Sequence, residues 1–250
     1  YSSLPAGAGH EESVSMEMFT CENLKTPVLN QCRSPENISC TFVTQKITAC
    51  IIMHEEDVKN ILGLQLPTDP RWVDLASMSM EEILTDHAYC EQKAATTCIS
   101  LIQRYSDKEE MVAALAPIVT EEWGHFRLVL AELHKRGLSL GKQRKDIYVN
   151  KLMEFQQKGG SIEDRFLDQL LTMALIEARS CERFKRLSEG LNDEYMRKFY
   201  RRFMESEAGH YTLFIELAEA YIDKDKVRKR WAEWLAYEAD TIQNIEVRGD

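Results

Sequence analysis

The sequence predicts an all-α fold, a four-helix bundle with a long connection between its second and third helices and an extra helix at the C-terminal end. Three observations carry this expectation. Beyond residue 60, apolar residues recur at helical spacing through four long stretches, and almost no β-type alternation interrupts them. Breakers are few and fall between the stretches. Each stretch also has an ionisable residue near its midpoint, on the face that otherwise reads as core.

The first helix is expected over about 79–105, with Ser79 as N-cap and Glu82 completing a capping box. Its apolar stripe runs through Leu84, Ala88, Ala95, Cys98 and Leu101, with Glu91 in the middle. The second, about 108–136, is ended by Gly137, and the short link before it makes it an antiparallel neighbour of the first. Leu115, Val119, Glu122, His125, Val129 and Leu133 form its stripe. A long connection follows, with a short helix over 146–157 and a Gly159-Gly160 break. It is long enough to cross the bundle from end to end. The third helix, about 161–189 and stopped by Gly190, carries Leu170, Ala174, Glu177, Cys181 and Phe184 on one face. The fourth, about 193–222, carries Phe199, Phe203, Glu207, His210, Phe214 and Leu217. A flanking helix over 224–245 bears Trp231, Trp234 and Leu235, a spacing that suits docking.

Residues 1–60 have no sustained period and read as an irregular N-terminal extension outside the core, with one domain over 61–250. They contain Cys21, Cys32, Cys40 and Cys50, whose spacing matches no zinc module, and a lone Asn37-Ile38-Ser39 sequon. The seven cysteines include no Cys-x-x-Cys pair. At 250 residues and 44% hydrophobic content, one principal domain suffices. The formal charge of −10 argues against a protein that coats nucleic acid indiscriminately. No apolar run is long enough to span a bilayer or to form a signal-peptide core, so the expectation is a cytoplasmic protein with no membrane partner.

The mid-helix charges carry the chemistry. Buried carboxylates are costly unless something pairs them. Glu122 and His125 form a Glu-x-x-His motif, as do Glu207 and His210, and residues three apart share one helical face. Glu91 precedes Glu122 by 31 residues and Glu177 precedes Glu207 by 30. Two helical hairpins therefore present the same pattern, and the six side chains make up the ligand set of ferritin-like two-iron or two-manganese carboxylate proteins. Oxygen-rich ligation with one nitrogen per metal suits iron or manganese better than structural zinc. A single Glu-x-x-His is a weak signal. The two together, with partner glutamates at matching offsets on the buried stripe, are a strong one. Glu182 is a weaker rival to Glu177 because it lies off the stripe. His87 reads as a core histidine or as a partner of a ligand, and Tyr89, Tyr200 and Tyr211 as packing groups.

The segments Asp86–Ala95, Glu121–Phe126, Ala174–Phe184 and Glu205–Tyr211 also resemble the MiaE-type tRNA hydroxylases, and the likeness extends over about 64–242. The resemblance implies an oxygen-dependent, non-haem two-iron monooxygenase. Its substrate would be the isopentenyl group of a methylthio-isopentenyl-adenosine beside the tRNA anticodon. Glu91, Glu122, His125, Glu177, Glu207 and His210 would bind the two iron ions, O2 would be co-substrate, and an external reductase or ferredoxin-like donor would supply electrons. The partner would be the anticodon stem-loop, met by a monomer or dimer. Local basic clusters are available for it at Lys142/Arg144/Lys145/Lys151, Arg183/Lys185/Arg186, Arg197/Lys198/Arg201/Arg202 and Lys224/Lys226/Arg228/Lys229/Arg230. At least two of these are expected to form one patch at the mouth of the site. The rival readings are an iron-oxidising or storage protein, an oxygenase with a small apolar substrate, and a non-enzymatic RNA-binding scaffold.

Overall fold

The periodic stretches fold as helices with ends close to those expected. The computed structural model describes residues 62–245, and the N-terminal extension, with its four cysteines and sequon, lies outside them. In chain order the helices are α1 (Arg71–Met78), α2 (Met80–Arg104), α3 (Glu109–Lys135), α4 (Ile147–Phe155), α5 (Ile162–Gly190), α6 (Glu194–Tyr221) and α7 (Lys224–Asn244). No strand occurs among the described residues. None of the described helices is long and apolar enough to cross a membrane.

Local chemistry fixes most ends. Asp146, Asp193 and Asp223 accept backbone N–H bonds at the starts of α4, α6 and α7. Ser161 and Asp164 form a reciprocal capping box at the start of α5. At the end of α3, Gly137 takes a φ of +73°. Gly137 N–H reaches His134 O at 2.9 Å and Leu138 N–H reaches Leu133 O at 3.0 Å, a Schellman closure.

Two local expectations need correction. The helix α1 is absent from the sequence reading, although Asp69-Pro70 announces it: Asp69 accepts Arg71 N–H at 2.8 Å. The Ser79/Glu82 capping box does not form, because Ser79 also closes α1 and its own N–H bonds back to Ala76 O. Gly190 ends its helix as expected, without a positive φ. It is the last residue of α5, and a Cβ there would lie 2.8 Å from Val73 Cγ1 on α1. The glycine serves close helix approach.

α2 packs mainly on α3, and α5 mainly on α6, so the bundle is two antiparallel hairpins laid together as a ferritin-like four-helix bundle. The crossover containing α4 runs over the groove between α2 and α5. It is tied down by the Lys93–Asp146 ion pair at 2.8 Å, by Arg144 on Asp86 and Glu82, and by Tyr89 Oη donating to Gly141 O at 3.0 Å. α7 docks through Trp234, fully buried, whose Nε1 donates to Asp168 at 3.2 Å. Arg179 of α5 reaches Glu238 of α7 at 2.6 Å and Glu182 at 3.1 Å, while Thr68 also donates to Glu182.

The apolar interior falls into two clusters. One is built around Leu101, Leu115, Leu170 and Phe214, the other around Leu84, Phe126, Phe184 and Tyr200. Along α2, α3 and α6 the changeover spans Glu91, Glu122 and Glu207 respectively; on α5 it comes about one turn after Glu177. A polar layer thus divides the core.

Candidate metal centre

Helical register puts the six residues in one layer. Glu91 comes from the middle of α2, Glu122 and His125 from α3, Glu177 from α5, and Glu207 and His210 from α6. All four glutamates and His210 are buried, and the His125 side chain is 13% exposed. Two overlapping groups result. Glu91, Glu122, His125 and Glu207 offer ligand atoms that all lie within 4.8 Å of one another, and so do Glu122, Glu177, Glu207 and His210. Glu122 and Glu207 belong to both groups, while Glu91 with His125 and Glu177 with His210 stand at the two ends.

Both imidazoles present Nδ1 to the carboxylates. His125 Nδ1 lies 3.4 Å from Glu91 and from Glu122, and His210 Nδ1 lies 2.7 Å from Glu122 and 3.6 Å from Glu207. Despite these approaches, Glu122 Oε1, Glu207 Oε1 and His210 Nδ1 have no aligned hydrogen-bond partner within the chain. Buried polar atoms are paired as a rule, and atoms facing one another across a shared space without pairing are the arrangement a cation resolves. The donor set of four carboxylates and two imidazoles fits two hard, oxygen-preferring transition ions.

The electrostatics agree. Burial, and then the Glu207 charge, pushes Glu91 well above the usual carboxylate range, and the same two causes push Glu177 up. Burial acts upward on Glu122 too, but the close imidazoles of His125 and His210 outweigh it and hold that carboxyl well below its ordinary value. His210 is raised well above the usual imidazole range, since Glu121, Glu122 and Glu207 outweigh its burial. Without an ion, burial thus favours the protonated forms of Glu91 and Glu177, and the surrounding carboxylates favour the protonated form of His210.

Two further residues complete the site. Glu121 lies off the α3 stripe and escapes a periodicity argument. Its Oε2 stands 3.4 Å from His210 Nε2, and its Oε1 stands 4.0 Å from His125 Nε2 while accepting from Ser206 Oγ at 2.6 Å. One carboxylate thereby addresses the outer nitrogen of both rings; its pKa is lowered to about 2, chiefly by His210. The signal available in sequence was its i,i+4 relation to His125. His87 combines its two readings: its Nε2 lies 2.7 Å from Glu91 Oε1, and Phe184, Tyr200 and Phe203 surround its ring. Burial first, then the His125 charge, lowers its pKa to about 3, so it is neutral. Glu182 is buried but engaged by Arg179, Arg186 and Thr68, outside the layer. Tyr89 and Tyr200 pack, on the crossover and around His87 respectively. Tyr211 lies against Trp231.

A cavity of about 380 Å³ adjoins the layer in the α2/α5 groove beneath the crossover. Glu91 and Glu177 line it together with Ala94, Leu101, Met173 and Ile176, and Val149 and Met153 of the crossover complete its wall. It touches one terminal glutamate from each four-residue group.

The family model described as tRNA-(MS2IO6A)-hydroxylase (MiaE) matches residues 55–248. A curated Pseudomonas putida protein, tRNA 2-(methylsulfanyl)-N(6)-isopentenyladenosine(37) hydroxylase, is 33% identical over 181 residues, covering 72% of this chain and 87% of its own. A Salmonella typhimurium protein of the same description is 25% identical over 72% of this chain and 83% of its own. Among solved structures, a Synechococcus protein with aldehyde deformylating oxygenase activity superposes with a TM-score of 0.70 at 33% identity, covering 74% of this chain and 92% of that one.

Proposed function

The chain belongs to the MiaE family of tRNA hydroxylases, and from that premise we propose that it hydroxylates the isopentenyl side chain of a methylthio-isopentenyl-adenosine beside the tRNA anticodon. The reaction is an oxygen-dependent monooxygenation with electrons from an external donor, a reductase or ferredoxin-like protein. Glu91, Glu122, His125, Glu177, Glu207 and His210 would hold two iron ions, Glu122 and Glu207 being members of both four-residue groups. The active unit is a monomer or dimer in the cytoplasm, and residues 61–250 are its catalytic domain. The observation that carries this reading is that Glu91 and Glu177 line an apolar cavity wide enough for a branched hydrocarbon chain.

Bound there, the iron pair would supply the oxygen activation that hydroxylating an allylic C–H bond requires. The chain's own residues do the rest. Leu101, Met173 and Ile176 present an apolar wall that takes up a prenyl group and excludes water from beside the carboxylates. Glu121, 3.4 Å from the outer nitrogen of His210 and 4.0 Å from that of His125, places a negative charge behind both rings and favours the inward approach of their Nδ1 atoms. Glu91 and Glu177, whose carboxyls burial raises, would have to release their protons to hold a metal.

A basic rim supports an RNA substrate. Lys145 from the first cluster and Arg183 from the second line one pocket beside the cavity, next to Arg144, which Asp86 and Glu82 hold. Other clusters are taken up by acids: Lys226 pairs with Glu163 and Asp164, Arg230 with Asp168, and Lys198 with Glu194. The Synechococcus likeness and the apolar wall favour a second reading, a small aldehyde substrate. Mass spectrometry of tRNA nucleosides from cells with and without the gene separates the two. A gain of one oxygen on the isopentenyl-adenosine, dependent on the gene, is the expected result. Identical nucleosides in both, with aldehyde consumed by the iron-loaded protein, would sink the tRNA reading.

A further inference from the structure

A second, smaller cavity of about 140 Å³ lies beside the first, and the two share Cys90, Lys93 and Asp146 as a common wall. They follow one another in the α2/α5 groove, yet their linings differ. The first is mostly apolar and the second is rimmed by charge. Its three acids are all matched: Asp69 with Arg71 at 2.6 Å, Asp146 with Lys93 at 2.8 Å, and Asp86 with Arg144. Two cations remain. Among the described residues neither Lys145 nor Arg183 makes an ion pair.

Arg183 is the more telling. Its guanidinium carbon lies 5.3 Å from the centre of the Trp72 ring and 5.8 Å from that of Tyr148, so both rings hold it. Its Nε is buried without a hydrogen-bond partner. A buried donor left so is costly on a charged group, and the ring contacts hold the guanidinium where it is. A guanidinium fixed in direction suits the planar recognition of phosphate oxygens.

We propose, resting on the tRNA reading above, that this second cavity receives a phosphodiester of the nucleotide whose prenylated base enters the first. The Arg183 guanidinium faces the phosphate, and Lys145 adds a second charge at the rim. The shared wall sets the register: a phosphate seated on one side of Cys90 and Lys93 leaves the base on the other, beside Glu91.

The test compares kcat/KM of the iron-loaded protein on four substrates: methylthio-isopentenyl-adenosine, its 5′- and 3′-monophosphates, and an anticodon stem-loop carrying it. Arg183→Gln lowers the preference for nucleotide over nucleoside by about tenfold or more. It also reduces the slope of log affinity for the stem-loop against log salt by about 1. The monophosphate that loses its advantage identifies which phosphate is bound. Should Arg183→Gln fail to fold, Lys145→Gln on the exposed rim carries the same comparison. Wild-type turnover with a preference unchanged in the variant, or an equal loss on nucleoside and nucleotides, overturns the phosphate pocket alone. Wild-type protein that hydroxylates none of the four overturns the tRNA reading with it.

Discussion

Each of the six inward side chains is an ordinary helix residue whose cost comes from burial. Glu91 and Glu177 have carboxyls raised by desolvation, so the folded, metal-free protein binds protons there that the unfolded chain releases. His210, raised by its carboxylate neighbours, acts in the same direction at higher pH. Stability from these three groups is present at low pH and is lost as pH rises through their folded values. The melting temperature of metal-free protein therefore falls as pH is raised from about 6 to 9, above the ordinary carboxylate and imidazole values. Ferrous loading flattens the fall, because the metals stabilise the deprotonated ligands. Calorimetry of both forms across that window checks this, and a melting temperature that rises with pH without metal would refute it. Glu121→Gln tests the outer contact to both histidines: about 10–100-fold loss in iron affinity or turnover is expected, with the helical content intact. The ligand stripe was legible in sequence because four buried charges broke four apolar faces at once. Glu121 was not, since its carboxylate reaches the rings from the flank of the stripe and only folding brings His210 to it.

Among the elements, α1 shows what periodicity misses. Eight residues are too few to establish a period, and the turn that starts it depends on the Asp69 contacts to Arg71. Its packing on α5 leaves no room at Gly190. Gly190→Ala should cost about 1–3 kcal/mol through overpacking against Val73, despite the better helix propensity of alanine. Chemical denaturation measures it, and Val73→Ala in the same chain should recover most of the loss by removing the opposing methyls. A Gly190→Ala protein as stable as the parent would show that α1 yields freely. The long helices were readable to within a few residues because capping chemistry sits at their ends, as at Ser161 and Gly137. At Ser79 the same chemistry misled, since one residue there joins two helices and its N–H was already committed to α1.

For the whole molecule, the family match begins at residue 55 and the described helices account for both four-residue groups. A chain starting at Gly63 is expected to fold and to bind two irons per molecule. Loss of folding or of metal stoichiometry in that truncation would show that the first 62 residues contribute to the domain. The sequence order of the hairpins and the length of the crossover foretold the bundle. They could not foretell that the crossover would roof the α2/α5 groove, because that depends on the Arg144, Lys93 and Tyr89 contacts, each joining residues more than 50 positions apart.

The sharing of Glu122 and Glu207 has a consequence for how the protein matures. The α2/α3 hairpin alone has Glu91, Glu122 and His125, and the α5/α6 hairpin alone has Glu177, Glu207 and His210. Each four-residue group borrows its fourth member from the other hairpin. A half-made chain leaving the ribosome would therefore possess no complete four-residue group, and on the proposed function iron capture would wait until both hairpins had met. Metal acquisition would then be a late checkpoint of assembly, keeping a redox-active ion off a chain whose oxidisable core is still open.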